Sequence, residues 1–272
     1  MYSLTYKRAD SVEEARRLFQ EASDAAYLSG GHTLLPTMKQ RLAAHDVLVD
    51  LTRIGSMKGI SVEGDRVRIG GGMTHAEVAG SSEVQRAIPS LAALAGSIGD
   101  AQVRHRGTLG GSIANDDPAA DYPAAALALA ATITTDSREI AADDFFTALY
   151  ETALEESEIV TGVSFAIPEV AGYAKFRNPA SRYPMAGVFV ARHRDGSVRV
   201  AVTGAGNEGV FRWHAAETAL ARDFSANALE GLSVDPDLMM GDIHGSAEYR
   251  ANLVAVMARR ALANLGSAEA II

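Results

Sequence analysis

Ser29-Gly30-Gly31-His32-Thr33-Leu34-Leu35-Pro36 and Arg106-Gly107-Thr108-Leu109-Gly110-Gly111-Ser112-Ile113-Ala114 are the two stretches on which the reading of this chain turns. The first follows the apolar run Ala25 to Leu28 and precedes a short helical pattern, giving strand, glycine turn, helix. Glycine lacks a Cβ and tolerates φ > 0, so successive amides can turn inward as an anion nest, and a nearby helix start adds its positive end. A third cluster, Gly70-Gly71-Gly72, ends a predicted strand. A single Gly-Gly pair is usually a tight turn, but three clusters at strand ends mean that backbone is drawn close to something. At roughly 1.5 to 3 kcal/mol per hydrogen bond to a charged group, four or five amide donors would retain a diphosphate without lysine.

Outward from these stretches, the pattern predicts three regions. Tyr2, Leu4 and Tyr6 alternate as a strand, Ser11 to Glu14 has capping-box spacing ahead of a helix through Phe19, and Val47 to Leu51 closes a βαβαβ-like lobe. Ile60-Ser61-Val62 and Arg66 to Ile69 predict a hairpin, Thr74 to Glu77 a second capping box, and Pro89-Ser90 the start of a helix through Ile98. Strands are expected near Ile133 and from Glu158 to Phe165. Beyond Pro168 the runs Tyr173–Phe176, Ala186–Ala191 and Val198–Val202 predict an antiparallel meander, followed by helices near Ala215–Leu220 and Ser246–Leu265. The expected class is α+β. One domain covers residues 1–170, with lobes of about 1–55 and 56–170, and a second covers 171–272.

Composition narrows the chemistry. With 272 residues, 47% of them hydrophobic, the chain can bury a substantial core. No cysteine is present, so the chain by itself builds neither disulfides nor cysteine-ligated iron–sulfur clusters. Its 25 Lys plus Arg against 34 Asp plus Glu give a net charge of −9, which argues against nucleic acid as a partner. A diphosphate would be repelled by that overall field, so local amides must supply the attraction. The amino terminus has no signal-peptide pattern and no apolar run reaches membrane-spanning length, so a cytoplasmic protein is expected. Neither G-x-S-x-G nor the P-loop occurs, and the seven histidines lack metal-ligand spacing. One G-x-G-x-x-G, Gly204 to Gly209, follows a meander strand and reads as a turn. Arg104 and Arg106 could reach a phosphate or simply form a solvated basic turn.

The two glycine stretches, about eighty residues apart and followed by Asp121-Tyr122-Pro123, resemble the FAD-binding medium subunits of molybdenum hydroxylases. Within that family the pattern is similar to the carbon monoxide dehydrogenase medium subunits and, more distantly, to the FAD segment of xanthine dehydrogenases. The resemblance covers nearly the whole chain and implies a two-lobed PCMH-type FAD-binding domain followed by the family's carboxy-terminal α/β domain. Matched motif by motif, Ser29, Gly30, Gly31, His32, Thr33 and Leu34 are expected to wrap the FAD diphosphate with main-chain amides. Thr108, Gly110, Gly111 and Ser112 are expected to form a second clamp. Asn115 and Asp121 match positions on the adenosine side, Ile159 and Val160 a strand pair beside the adenine, and Lys175 a lysine that approaches the flavin. For Asp121, helix N-capping before Pro123 is the plain alternative.

The resemblance also implies a division of labour. A large partner subunit carries molybdopterin, a small one carries iron–sulfur clusters, and FAD on this chain passes the electrons to an external acceptor. No side chain is expected to act as a catalytic acid or base. The competing expectation is a stand-alone flavin-dependent oxidoreductase on the related fold. It calls for an acid–base constellation that the sequence does not display.

Overall fold

The computed structural model describes residues 2–267. Among the described residues three larger sheets carry the fold, beside a two-stranded pair of Phe146–Ala148 and Glu151–Thr152. The first is parallel, with the strand Val47–Asp50 between Thr5–Arg8 and Ala25–Leu28. The central strand is the most apolar of the three, because it is hydrogen-bonded on both sides and covered by the helix Val12–Gln20. The Ser11 hydroxyl caps that helix by accepting from the Glu14 amide (3.1 Å). The expected reciprocal bond goes one residue further back, from the Asp10 amide to the Glu14 carboxylate (2.9 Å), so only half of a capping box forms.

The second sheet is antiparallel, in the order Ile60–Glu63, Arg66–Gly70, Val160–Ala166, Thr132–Thr135, Glu139–Ala141. The predicted hairpin is present, and the Thr74 box is complete: Thr74 accepts from the Glu77 amide, and the Glu77 carboxylate accepts from the Thr74 amide. Helices Pro89–Ser97 and Tyr122–Ala128 are buried almost all round, as their alanine- and leucine-rich sequences require. Leu91, Leu94, Val67, Ile69, Ile113 and Phe165 share one core with them.

The third sheet is the expected meander, Val170–Arg177, Pro184–Arg192, Val198–Thr203, with a short edge strand Phe211–Arg212. The long helix Ala247–Ala263 lies on one face. Tyr173, Phe189 and Ala201 on the other face join the core of the second sheet. Burial on both faces explains why residues 184–191 read as an unbroken apolar run. The Gly204 to Gly209 motif stands in the turn before the edge strand, as expected. No helix among the described residues is long and apolar enough to cross a membrane.

Candidate functional site

At the carboxyl ends of the first sheet's strands, where open parallel sheets commonly bind ligands, a cleft of about 540 Å³ opens against the second sheet and its helices. Small-molecule sites typically span about 300 to 1,000 Å³. The cleft is lined by Ser29 to Leu34, by Thr108, Gly110, Gly111, Ser112 and Asn115, and by Asp121, Ile159 and Val160. These belong to three separate parts of the sequence. Ile159 packs with the core of the first sheet, whereas Asp121 is bonded to the third sheet, so the two sit on different walls.

The two glycine bends touch. A Cβ on Gly30 would lie 2.4 Å from the Arg106 carbonyl oxygen and 2.7 Å from the Gly107 Cα, so only glycine allows the approach. Gly31 has φ +73°, a left-handed conformation that any other residue would hold under strain. The Ser29 and Thr108 hydroxyls are joined at 2.9 Å and tie the bends together. In the first bend, the amides of Gly30, Gly31, His32 and Thr33 donate to no acceptor among the described residues.

The second bend uses its amides differently. Leu109 donates to the Met73 carbonyl (2.9 Å), Gly110 to Gly71 (2.8 Å) and Ser112 to Thr108 (3.0 Å). Gly111 donates to the Thr108 hydroxyl, which caps the helix Leu109–Asn115. The amides of Leu109 to Ser112 are therefore engaged within the protein, and of the expected second clamp only the Thr108 amide donates to no acceptor among the described residues. Gly110 is required by packing, since a Cβ there would lie 2.7 Å from the Gly71 carbonyl oxygen.

Asp121 is 3% exposed and occupies the N-cap position of Tyr122–Ala128 without capping it. Its Oδ1 instead accepts from the Tyr173 hydroxyl (2.5 Å) and from Lys175 Nζ (2.7 Å). Lys175 departs from expectation: it is 0% exposed and does not line the cleft. The inward-facing side of a strand packed on both faces leaves it no path to the cleft except through Asp121. Burial pushes the Lys175 ammonium below its usual range against the opposing pull of Asp121, and burial with the same carboxylate pushes the Tyr173 phenol well up. Arg104 also departs from a phosphate role. It donates to the Ile98 and Gly99 carbonyls, and neither it nor Arg106 lines the cleft.

Several cleft residues had no local sequence signal. Glu158 is clasped by Arg138, Nε to Oε1 and Nη2 to Oε2 at 3.0 Å each, and also accepts from Thr135 (2.7 Å). The guanidinium holds its carboxyl down to about 2. Burial lowers the His75 imidazole to about 4. Asp117, Ser181 and Tyr183 complete the opposite end, and burial there raises the Asp117 carboxyl.

Residues 2–169 match the FAD binding domain in molybdopterin dehydrogenase. The chain is 36% identical to the nicotine 6-hydroxylase medium subunit of Paenarthrobacter nicotinovorans, covering 97% of this chain and 98% of that one. It is 34% identical to the carbon monoxide dehydrogenase medium chain of Hydrogenophaga pseudoflava, covering 94% and 95%. In structure it superposes on reconstituted CO dehydrogenase from Oligotropha carboxidovorans with TM-score 0.86 and 32% identity, over 96% of this chain and 97% of that chain. The chain thus belongs to the FAD-binding medium-subunit family of molybdenum hydroxylases, with the PCMH-type fold and the FAD-containing oxidoreductase character of that family.

Proposed function

We propose that this chain is the electron-transfer subunit of a molybdenum hydroxylase complex in the cytoplasm. In this reading FAD lies extended in the cleft and receives electrons from iron–sulfur clusters on a small subunit. A large molybdopterin subunit feeds those clusters, and the electrons leave to an external acceptor. Residues 1–170 form the FAD-binding domain, and residues 171–272 a second domain that closes the cleft behind Asp121.

The observation that carries this reading is the run of four acceptor-free amides, Gly30 to Thr33, in a cleft of dinucleotide size. An anionic diphosphate satisfies such donors with charge-assisted hydrogen bonds and no lysine. Bound FAD supplies the electron exchange; the protein supplies binding, orientation and electrostatics. The Thr108, Gly110, Gly111 and Ser112 segment then acts as a close-packed wall, with the Ser112 hydroxyl as a polar contact. Asn115 lines the same wall. Asp121, held by Tyr173 and Lys175, is the fixed acceptor for hydroxyl groups of the ligand. Ile159 and Val160 give the apolar wall, and Lys175 positions Asp121.

Purifying the chain with its partner subunits tests this directly. Acid denaturation should release one FAD per chain, and Ala114→Trp, at an exposed cleft position, should abolish that release while the melting temperature holds. An organic substrate should bleach the flavin only when the partner subunits are present. Bleaching by the isolated, FAD-loaded chain would favour the stand-alone oxidoreductase.

A further inference from the structure

His75 is a polar cleft residue with no part in the function proposed above. It opens the helix His75–Gly80 behind the Thr74 cap, and its amide donates to the Gly107 carbonyl at 3.0 Å. The side chain lines the cleft although the residue is only 5% exposed. Its ring packs beside Tyr122 with centroids 5.4 Å apart. Nδ1 is sealed from solvent with no hydrogen-bond partner among the described residues, and so is the Tyr122 hydroxyl.

The other ring nitrogen lies next to the glycine bends. A Cβ on Gly107 would come within 2.5 Å of His75 Nε2, and the same Gly107 Cα is what Gly30 packs against. Nε2 therefore stands one residue's thickness from the acceptor-free amides of the first bend. Burial, with His32 and Arg104 nearby, keeps the imidazole neutral at physiological pH. A neutral imidazole carries one N–H. On Nδ1 that proton would be a buried donor with nothing to accept it, which costs about 1 to 3 kcal/mol. The Nε2–H tautomer leaves only a lone pair unmatched on Nδ1 and sets the N–H on the nitrogen beside Gly107.

We propose that His75 is a binding residue that donates a hydrogen bond from Nε2 to the diphosphate of the bound dinucleotide, adding a side-chain donor to the amides of Gly30 to Thr33. This rests on the FAD reading. It also assigns a reason for Gly107: the missing Cβ leaves room for the imidazole.

The test uses the assembled, FAD-loaded complex. FAD affinity is measured by the fluorescence of released flavin, and the diphosphate environment by the ³¹P resonances of bound FAD. His75→Leu should weaken FAD binding by about 10- to 150-fold, the range expected for one hydrogen bond to a charged group, and shift the ³¹P resonances. His75→Gln, which keeps a donor, should recover most of the affinity. If His75→Leu folds and binds FAD as tightly as the native chain with unchanged resonances, the proposal is overturned. Should that variant not fold, a density map of the native FAD-loaded complex decides: Nε2 about 3 Å from a phosphate oxygen supports the bond, and a separation beyond about 4 Å removes it. A native complex that holds no FAD defeats the FAD reading itself, an outcome distinct from either of these.

Discussion

At Gly30 to Thr33 the main-chain amides have no acceptor among the described residues, and at Leu109 to Ser112 they are bonded to Met73, Gly71 and Thr108, although both stretches carry the same glycine pair. The difference lies in what surrounds them. The first bend hangs off the end of a parallel strand into the cleft, where nothing among the described residues competes for its donors. The second is pinned between the Gly71 backbone and its own helix cap. Both glycine pairs let two backbones approach; only the first also leaves a run of amides available. The lesson is that a glycine cluster signals closeness, and only the hydrogen-bond partners say closeness to what.

Variants can sharpen or break this contrast. The largest effect is expected at Gly110→Ala, whose Cβ meets the Gly71 backbone oxygen at 2.7 Å. It should cost about 3 to 4 kcal/mol, a fall in melting temperature of about 10 °C by calorimetry. A variant that melts like the native chain would show that the second bend is not held by packing.

A smaller effect is expected from the Glu158 clasp beside Val160, whose carbonyl oxygen Gly71 approaches closely. The folded carboxyl titrates at about 2 against an ordinary 4.5. A lowered value means that this stabilisation is complete above pH 4.5 and disappears as pH falls toward 2. Its size is about 1 to 2 kcal/mol, because the Arg138 guanidinium is half-exposed and solvent screens the pair. Denaturant midpoints of the native chain should therefore fall with pH across that window, while those of Glu158→Gln should fall less. Parallel curves would remove Glu158 from the account.

Thr108→Ala should cost about 1 kcal/mol by chemical denaturation, the usual worth of a lost N-cap. The smallest effects belong to the first bend. His32→Ala and Thr33→Ala should leave stability within about 0.5 kcal/mol and FAD retention unchanged, because only main-chain donors are used there. Loss of FAD in either variant would transfer the binding from backbone to side chain.

Much of this architecture is legible in the sequence because it is written locally. The Thr74-to-Glu77 box, the hairpin at Glu63-Gly64-Asp65 and the meander beyond Pro168 each follow from residues a few positions apart. The strand-end glycines likewise predict a cleft. What could not be read depends on pairings across the fold. Arg138 finds Glu158 twenty residues on, and His75, lone in sequence, acquires its setting from Gly107 and Tyr122. The direction of Lys175 depends on both faces of its strand being covered. Two of the acceptors that occupy the second bend's amides are the carbonyls of Gly71 and Met73, which no spacing rule links to Gly110.

The contact between Asp121 and Lys175 has an implication for modular engineering. The carboxylate lies within the FAD-binding stretch 2–169, while the ammonium that pairs with it and the phenol that donates to it lie beyond residue 169. Transplanting the shared stretch alone into a foreign chain would strand a desolvated anion. Any such chimera should therefore carry the first strand of the meander along, or replace Asp121 with an uncharged residue.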